Sequence, residues 1–211
     1  MKKLLLIPMT LALVLGAAAS SWGGPPTDQL RAYTDQVLKV LDNPALTLPE
    51  RRAAVRKIAS EVFDVSETAQ RALGIHWQQR TPTERDEFVK LFANLLEQTY
   101  ISRIDEYGGE RITYVGEQRD GDRAIVRARI VTRKGTEVPV ESRLLRQGDH
   151  WLIYDILIAN LSLISNYRAQ FDRVIRTASY EELVKRLQNR VDLLNDKETT
   201  EPRATTPAKR Q

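Results

Sequence analysis

Two histidines, His76 and His150, and no cysteine limit what chemistry this chain of 211 residues can do. Without cysteine there are no disulfides, iron–sulfur clusters, cysteine zinc sites or thiol nucleophile. An acylated lipoprotein anchor is excluded for the same reason. Two histidines nearly exclude a multi-histidine metal site within one chain. General acid–base work is most often done by a histidine, commonly oriented by a carboxylate. His150 and Asp155 lie five residues apart. On a regular strand, whose side chains alternate with period 2, they point to opposite faces. His76 has no acid at a useful spacing and would need one from elsewhere, such as Asp64. The sequence contains no glycine-rich phosphate loop, nucleophile elbow or paired-carboxylate motif. A basic run remains: Arg123, Arg127, Arg129, Arg133 and Lys134. It suits either an anionic headgroup or acidic partner patch, or a plain solvated strand face.

The elements that would position these residues lie between two simple ends. Residues 1–24 join Lys2 and Lys3 to an apolar core from Leu4 to Leu15 and to the small residues Ala17, Ala18 and Ala19. That is the pattern of a secretory signal peptide. The run is shorter than the ~20 residues of a spanning helix, so the expected mature protein is exported to the periplasm. Without Lys2 and Lys3, 30 basic residues face 28 acidic ones. This balance gives no argument for nucleic acid. Residues 196–211 are polar and carry two prolines, and they read as a disordered tail. One domain is expected over residues 25–195.

Within it, Leu30, Tyr33, Val37, Val40 and Leu41 recur at helical spacing, and Pro49-Glu50 opens a second helix. A short helix over Ser66–Leu73 stops at Gly74. Thr81-Pro82-Thr83-Glu84 starts a long helix expected to reach Tyr107. The period then changes to 2 over Ile112–Glu117, Ala124–Arg133, Glu137–Arg146 and Trp151–Ile158, with short polar links. Two more helices follow, striped by Tyr167, Phe171, Val174 and Ile175 and then by Leu183, Val184, Leu187, Val191 and Leu194. The expected fold is α+β: a four-stranded antiparallel meander with N- and C-terminal helices packed on it.

Three segments resemble the MlaC family of periplasmic phospholipid-binding proteins, also called toluene-tolerance proteins. They are RALGIHWQQRTPTERDEFVKLF (71–92), TEVPVESRLLRQGDHWLIYDILI (136–158) and LSLISNYRAQF (161–171). In order and spacing they cover essentially the whole expected domain. Two positions depart from the family pattern. Ser142 stands where a tyrosine is expected, and Asn160 where a glycine is expected. Asn tolerates positive φ better than most residues, so the turn at 160 is expected to survive. Ser142 would leave more room or a more polar spot in a cavity.

The resemblance implies a curved sheet in a nuclear transport factor 2-like cone, enclosing an apolar cavity. It also implies a phospholipid carrier working between an outer-membrane lipoprotein complex and an inner-membrane ABC transporter with an MCE-type lipid-binding subunit. Such a carrier has no catalytic residue, metal or cofactor beyond its lipid cargo, and is expected to be monomeric. The cavity residues would come from a sheet-facing stripe of the long helix (Phe88, Phe92, Leu95, Leu96 and Tyr100). Trp77 would join them, with Val126, Ile130, Val140, Leu144, Trp151 and Ile153 from the strands. The same residues also suit an ordinary solid core. Arg127 and Arg129 would meet headgroups or partners, and Arg168 would guard the cavity mouth. A hopanoid or other apolar cargo, an acid–base enzyme on the same fold, and a protein-binding module remain alternatives.

Overall fold

The computed structural model describes residues 25–200, with the side chains at 103, 105 and 191–200 outside that description. The expected signal peptide at 1–24 and the expected tail from 201 onward lie outside it too, as do the side chains of Val191 and Leu194. Three helices come first: α1 (Pro25–Leu41), α2 (Leu48–Val62) and α3 (Val65–Leu73). Glu50 closes the first turn of α2 by accepting the Thr47 backbone N–H at 2.8 Å. Asp64 caps α3 by accepting the Glu67 N–H at 2.9 Å, which satisfies one of the helix's orphan donors. Gly74 ends α3 at φ +58° and is followed by a 3-10 segment, Gly74–Gln79, carrying His76 and Trp77.

The long helix α4 spans Pro82–Tyr100, opened by Thr81 and Glu84 as their spacing predicts. It stops about two turns short of the expected Tyr107 and tightens into a 3-10 segment, Ile101–Glu106. Hydroxyls explain the early end. Thr99 Oγ1 donates to the Leu95 carbonyl at 2.6 Å, and Ser102 Oγ donates to the Gln98 carbonyl. Such bonds compete with the helical ladder. Arg52 also takes the Ser102 carbonyl, at 2.7 Å.

The meander follows as β1 (Arg111–Asp120), β2 (Arg123–Val131), β3 (Glu137–Gln147) and β4 (His150–Ile158), all antiparallel neighbours in that order. The α+β class and the four expected strands are present. A fifth strand, β5 (Leu161–Ser162), pairs back onto the end of β4. Its turn uses Ala159 at φ +49° and Asn160 at φ +66°. Asn160 meets its expectation; positive φ at an alanine carries no sequence signal. β5 at one end and the Phe63–Ile153 bridge at the other cover the outer edge of β4. This blunts an edge open to pairing. The chain then closes with α5 (Leu163–Thr177) and α6 (Tyr180–Thr200), the latter running into the stretch read as a tail.

The apolar interior is divided into two cores. The first is helical and aromatic: Phe88 and Phe92 of α4 meet Tyr167 and Phe171 of α5, with α3, Trp77 and α6 around them. Phe92 packs edge-on against Tyr167 at 5.1 Å and Phe171 at 5.5 Å between ring centres. Edge-to-face pairs of this kind add to the burial energy. The second core lies between α1 and the sheet: Leu30, Val62, Ala124, Val126, Leu144, Trp151 and Ile153. The expected stripe of α4 toward the sheet is therefore corrected. Phe88, Phe92 and Leu95 face α3, α5 and α6, and the buried members of their core include no strand residue.

Two measurements test this division. Phe92→Ala should cost about 3–5 kcal/mol of stability in denaturant unfolding, the usual range for a fully buried ring. Burial pushes the Tyr180 hydroxyl, which donates to the Glu84 carbonyl at 3.0 Å, up to about 12 from its ordinary 10.0. Because the folded value is raised, this stabilisation is complete below pH 10.0 and is lost as pH climbs toward about 12. The melting temperature should fall more steeply in that window for the wild type than for Tyr180→Phe.

Candidate functional site

The register fixes which strand residues share the inner face. Ala124 pairs with Leu144 and Leu144 with Ile153, while Val126 pairs with Ser142 and Ser142 with Ile156. The next row is Tyr114, Ala128, Val140 and Ile158, and the last is Ile112, Ile130 and Val138. At the first end these side chains are closed off. Ala124, Val126, Leu144 and Ile153 are each less than 5% exposed. At the other end Ile112, Ile130, Val138 and Val140 are half-buried, and Ile158 is 46% exposed. An apolar face that is sealed at one end and open at the other is a trough.

Helix α1 makes that gradient. Its N-terminal end is clamped to the sheet at the closed end. Gln29 Nε2 donates to the Trp151 carbonyl at 2.9 Å, and the Trp151 N–H donates to Gln29 Oε1 at 3.0 Å. Glu117 accepts both the backbone N–H and the hydroxyl of Thr27, at 2.9 and 2.6 Å. Further along, Thr34 and the Tyr114 hydroxyl meet at 2.8 Å. Burial raises the Tyr114 phenol above its ordinary value. Beyond that contact the helix ends and a cavity of about 760 Å³ opens, lined by Leu38, Asp42, Tyr107, Glu110, Ile112 and Val131 among others. Its size suits a pocket for an organic ligand.

The expected strand residues divide along this gradient. Val126, Leu144, Trp151 and Ile153 are packed beneath α1, whereas Ile130 and Val140 stand in the open half. Trp77, Phe88, Phe92 and Leu95 belong to the separate helical core, with Leu96 packed on its flank. Tyr100, at the end of α4, is 44% exposed. Ser142 does face inward, between Val126 and Ile156, as a polar spot in an apolar row.

Sequence reasoning missed Leu38, Tyr107 and Ile158. Leu38 and Tyr107 follow helical patterns that say nothing of where those helices end. Ile158 was hidden by a bulge in β4 opposite Arg143 and Leu144. The regular alternation groups Leu157 with Trp151 and Ile153. The bulge moves Ile156 to the inner face instead, where it packs beside them.

The bulge also overturns the geometry expected of His150 and Asp155. Opposite Gln147 and Arg143, they share the outer face. They are still about 13 Å apart along the strand, at ~3.3 Å per residue. Asp155 is buried and occupied: it accepts from Ser162 Oγ at 2.8 Å and the Ile164 N–H at 3.2 Å, and Arg143 Nη1 lies 3.6 Å away. Asp64, the cap of α3, is not the partner of His76. That partner is Asp172, whose Oδ1 lies 2.8 Å from His76 Nε2. Arg176 and then His76 hold the Asp172 carboxyl below its ordinary range. A carboxylate shared by an arginine and a histidine clamps the 3-10 segment to α5. It borders a second cavity of about 330 Å³, which Arg168 also lines. Arg168 packs against Gly74, so it does not guard the larger cavity.

Arg127 and Arg129 occupy the outer face, opposite the trough. Arg127 Nε lies 3.3 Å from Glu141, and Arg129 Nη1 lies 3.3 Å from Glu137. The stripe is thus a ladder of opposite charges across β2 and β3, the arrangement that favours strand pairing. It is on the wrong face to meet a headgroup at the trough. Among the described residues, no three His, Asp or Glu side chains converge on a metal position. No described helix is long and apolar enough to cross a membrane.

The intermembrane phospholipid transport system binding protein MlaC of Haemophilus influenzae is 21% identical over 142 residues. That match takes in 65% of this chain and 66% of the relative, just under two thirds of its length. The phospholipid-binding protein of Ralstonia solanacearum, solved in complex with a phospholipid, superposes with a TM-score of 0.72 at 25% identity. The superposition covers 81% of this chain and 98% of that one. The family model for the MlaC protein matches residues 31–189, nearly all of the described fold, and the chain belongs to the MlaC family.

Proposed function

We propose that the protein is a periplasmic phospholipid carrier that passes lipid between membrane-bound partners and performs no reaction on it. The observation that carries this reading is the half-open apolar sheet face, sealed under α1 at one end and bordered at Ile112 by a cavity of about 760 Å³. The lipid-bound relative with the same fold supports it.

Energetics explain why a lipid would need such a site. Each methylene leaving an apolar phase costs about 0.8 kcal/mol, so roughly 30 methylenes cost about 25 kcal/mol. At that barrier spontaneous escape into water takes on the order of days. A carrier lowers it by offering the chains an apolar wall before they leave the bilayer. Its own free energy change stays near zero because lipid and trough are both apolar. No catalytic group is needed. His76 is hydrogen-bonded to Asp172, and His150 is exposed at the start of β4.

The partners that suit this role are an inner-membrane ABC transporter with an MCE-type subunit and an outer-membrane lipoprotein complex. An exported, monomeric chain with a cleaved leader fits between them. A hopanoid cargo would use the same trough without a phosphate at its rim.

The trough is tested by charge placed on its two faces. Ile130→Asp should reduce phospholipid uptake from vesicles at least about tenfold, because an ionised group in an apolar wall must be desolvated when lipid binds. Arg127→Glu, on the opposite face, should leave uptake unchanged and lower stability by up to about 1 kcal/mol by setting two glutamates face to face. Equal uptake by wild type and a folded Ile130→Asp variant would remove the trough from the binding site. Co-purified lipid, read by native mass spectrometry, gives the second readout.

A further inference from the structure

The helical layer carries the smaller cavity, of about 330 Å³, which the carrier reading does not use. Its described lining residues all come from the end of α3, the 3-10 segment after it and one face of α5. Two contacts fix its walls. Gly74 turns the chain at φ +58°, and the Arg168 stem lies across it. A Cβ built on Gly74 would sit 3.0 Å from Arg168 Cδ and 3.3 Å from Cγ. Another residue there would be strained by its φ and would press on that stem. About one turn further along α5, Asp172 Oδ1 meets His76 Nε2 and Arg176 Nε, each at 2.8 Å. The 3-10 segment is thus tethered to α5 at Gly74 and at His76. Between the two tethers Ile75 points outward, 68% exposed, and belongs to neither core. Charge here is one-sided. Helix α5 carries Arg168, Arg173 and Arg176 against Asp172 alone. Asp172 is already engaged, and among the described residues Arg168 has no carboxylate partner. Arg176 gives Asp172 its Nε–H, and a guanidinium has four further N–H donors.

We infer that this face docks an acidic segment of a partner protein, its carboxylates on Arg168 and Arg176 and an apolar side chain against Ile75, Leu73 and Ala169. Charge complementarity sets the sign of the partner. Arginine beside exposed apolar surface is the composition from which interface anchors are made. A small anion would answer the guanidiniums but leave Ile75 in water. Spacing sets the form of the segment. Arg168 and Arg176 stand about 12 Å apart along α5, at ~1.5 Å per residue. An extended chain advances ~3.3 Å per residue and turns every second side chain to one face, so carboxylates four residues apart span about 13 Å. The residue midway lies on the same face. Asp-x-Leu-x-Asp meets these requirements. Docking on elements that share no residue with the trough leaves the trough open while the chain is held.

The test titrates isotope-labelled protein with the synthetic peptide Gly-Asp-Ser-Leu-Ser-Asp-Gly and follows backbone signals by two-dimensional NMR. Signals of Ile75, His76, Arg168 and Ala169 should shift and saturate. The same peptide with lysine for both aspartates should leave them in place. Ile75→Ser and Arg168→Gln should each weaken peptide binding at least about fivefold, the loss expected of an interface anchor. Both positions are exposed, and glutamine keeps the part of the stem that lies over Gly74. Lipid uptake from vesicles by both variants should match the wild type. A loss of uptake would join this face to the cargo route and overturn the inference. It is overturned equally by shifts confined to other residues, by binding that neither substitution weakens, or by no shift at millimolar peptide. Sedimentation with phosphatidylglycerol vesicles that requires Arg168 would assign the face to a membrane instead. Docking and uptake are read separately, so a wild type that takes up no lipid sinks the carrier reading and leaves this test intact.

Discussion

An antiparallel sheet with an apolar face must cover that face, and one helix is too narrow to do it alone. A helix with its side chains is about 10–12 Å wide. Four strands spaced about 4.8 Å apart present a wider surface, and each strand here runs nine to eleven residues. Helix α1 lies over one end and then follows β1, from the Thr27–Glu117 contact through Thr34–Tyr114 to Leu38 and Asp42 beside the cavity. The rows containing Ile130, Val140 and Ile158 are left without a full roof. A domain that only had to be stable would extend a helix or place a polar residue there. This one keeps isoleucine and valine on a face that water reaches, which is the expected condition of a surface whose cover is a ligand.

The helical layer is joined to that sheet at β4, and the joint depends on one carboxylate. Asp155 is 6% exposed, yet its oxygens are met by a serine hydroxyl, a backbone N–H and an arginine. A buried carboxylate left unpaired would be costly, so these contacts also define where α5 can begin. The bulge in β4 makes this possible. By adding one residue it turns Asp155 outward while Ile156 joins the inner face. The same irregularity therefore serves the fold on one face and the trough on the other. Bulges commonly re-aim side chains in this way.

Much of this is legible in the residues alone. The change of period from 3.6 to 2 near Ile112 separates helices from strands, and short polar links leave little topology to choose. Helix starts were readable because capping is local: Thr81 and Glu84 need only each other. Ends were less so, since the helix after Tyr100 is broken by hydroxyls and by Arg52 from a distant helix. The site divided in the same way. Ile130 and Val140 are set on the correct face by simple alternation. The apolar stripe of Phe88 and Phe92 does not say which neighbour it faces. That choice is made by Tyr167 and Phe171, some eighty residues later, whose rings fill the space between α4 and α5. The β4 bulge left no mark in the alternating pattern, and it reversed the grouping of Ile156 and Leu157.

Separating the two cores resolves a conflict between close packing and an open cavity. A close-packed interior resists opening, because voids and displaced side chains are both costly. A binding cavity must exist without a ligand and accept one. Here the interlocked rings of α4 and α5 supply rigid packing away from the site, while the cavity borders the 3-10 segment and loop after α4, the end of α1 and the first residues of β1. Those segments have fewer buried apolar side chains than either core, so they belong to the part of a fold that opens most easily. The mouth of the trough can then move without disturbing the packing that holds the chain together.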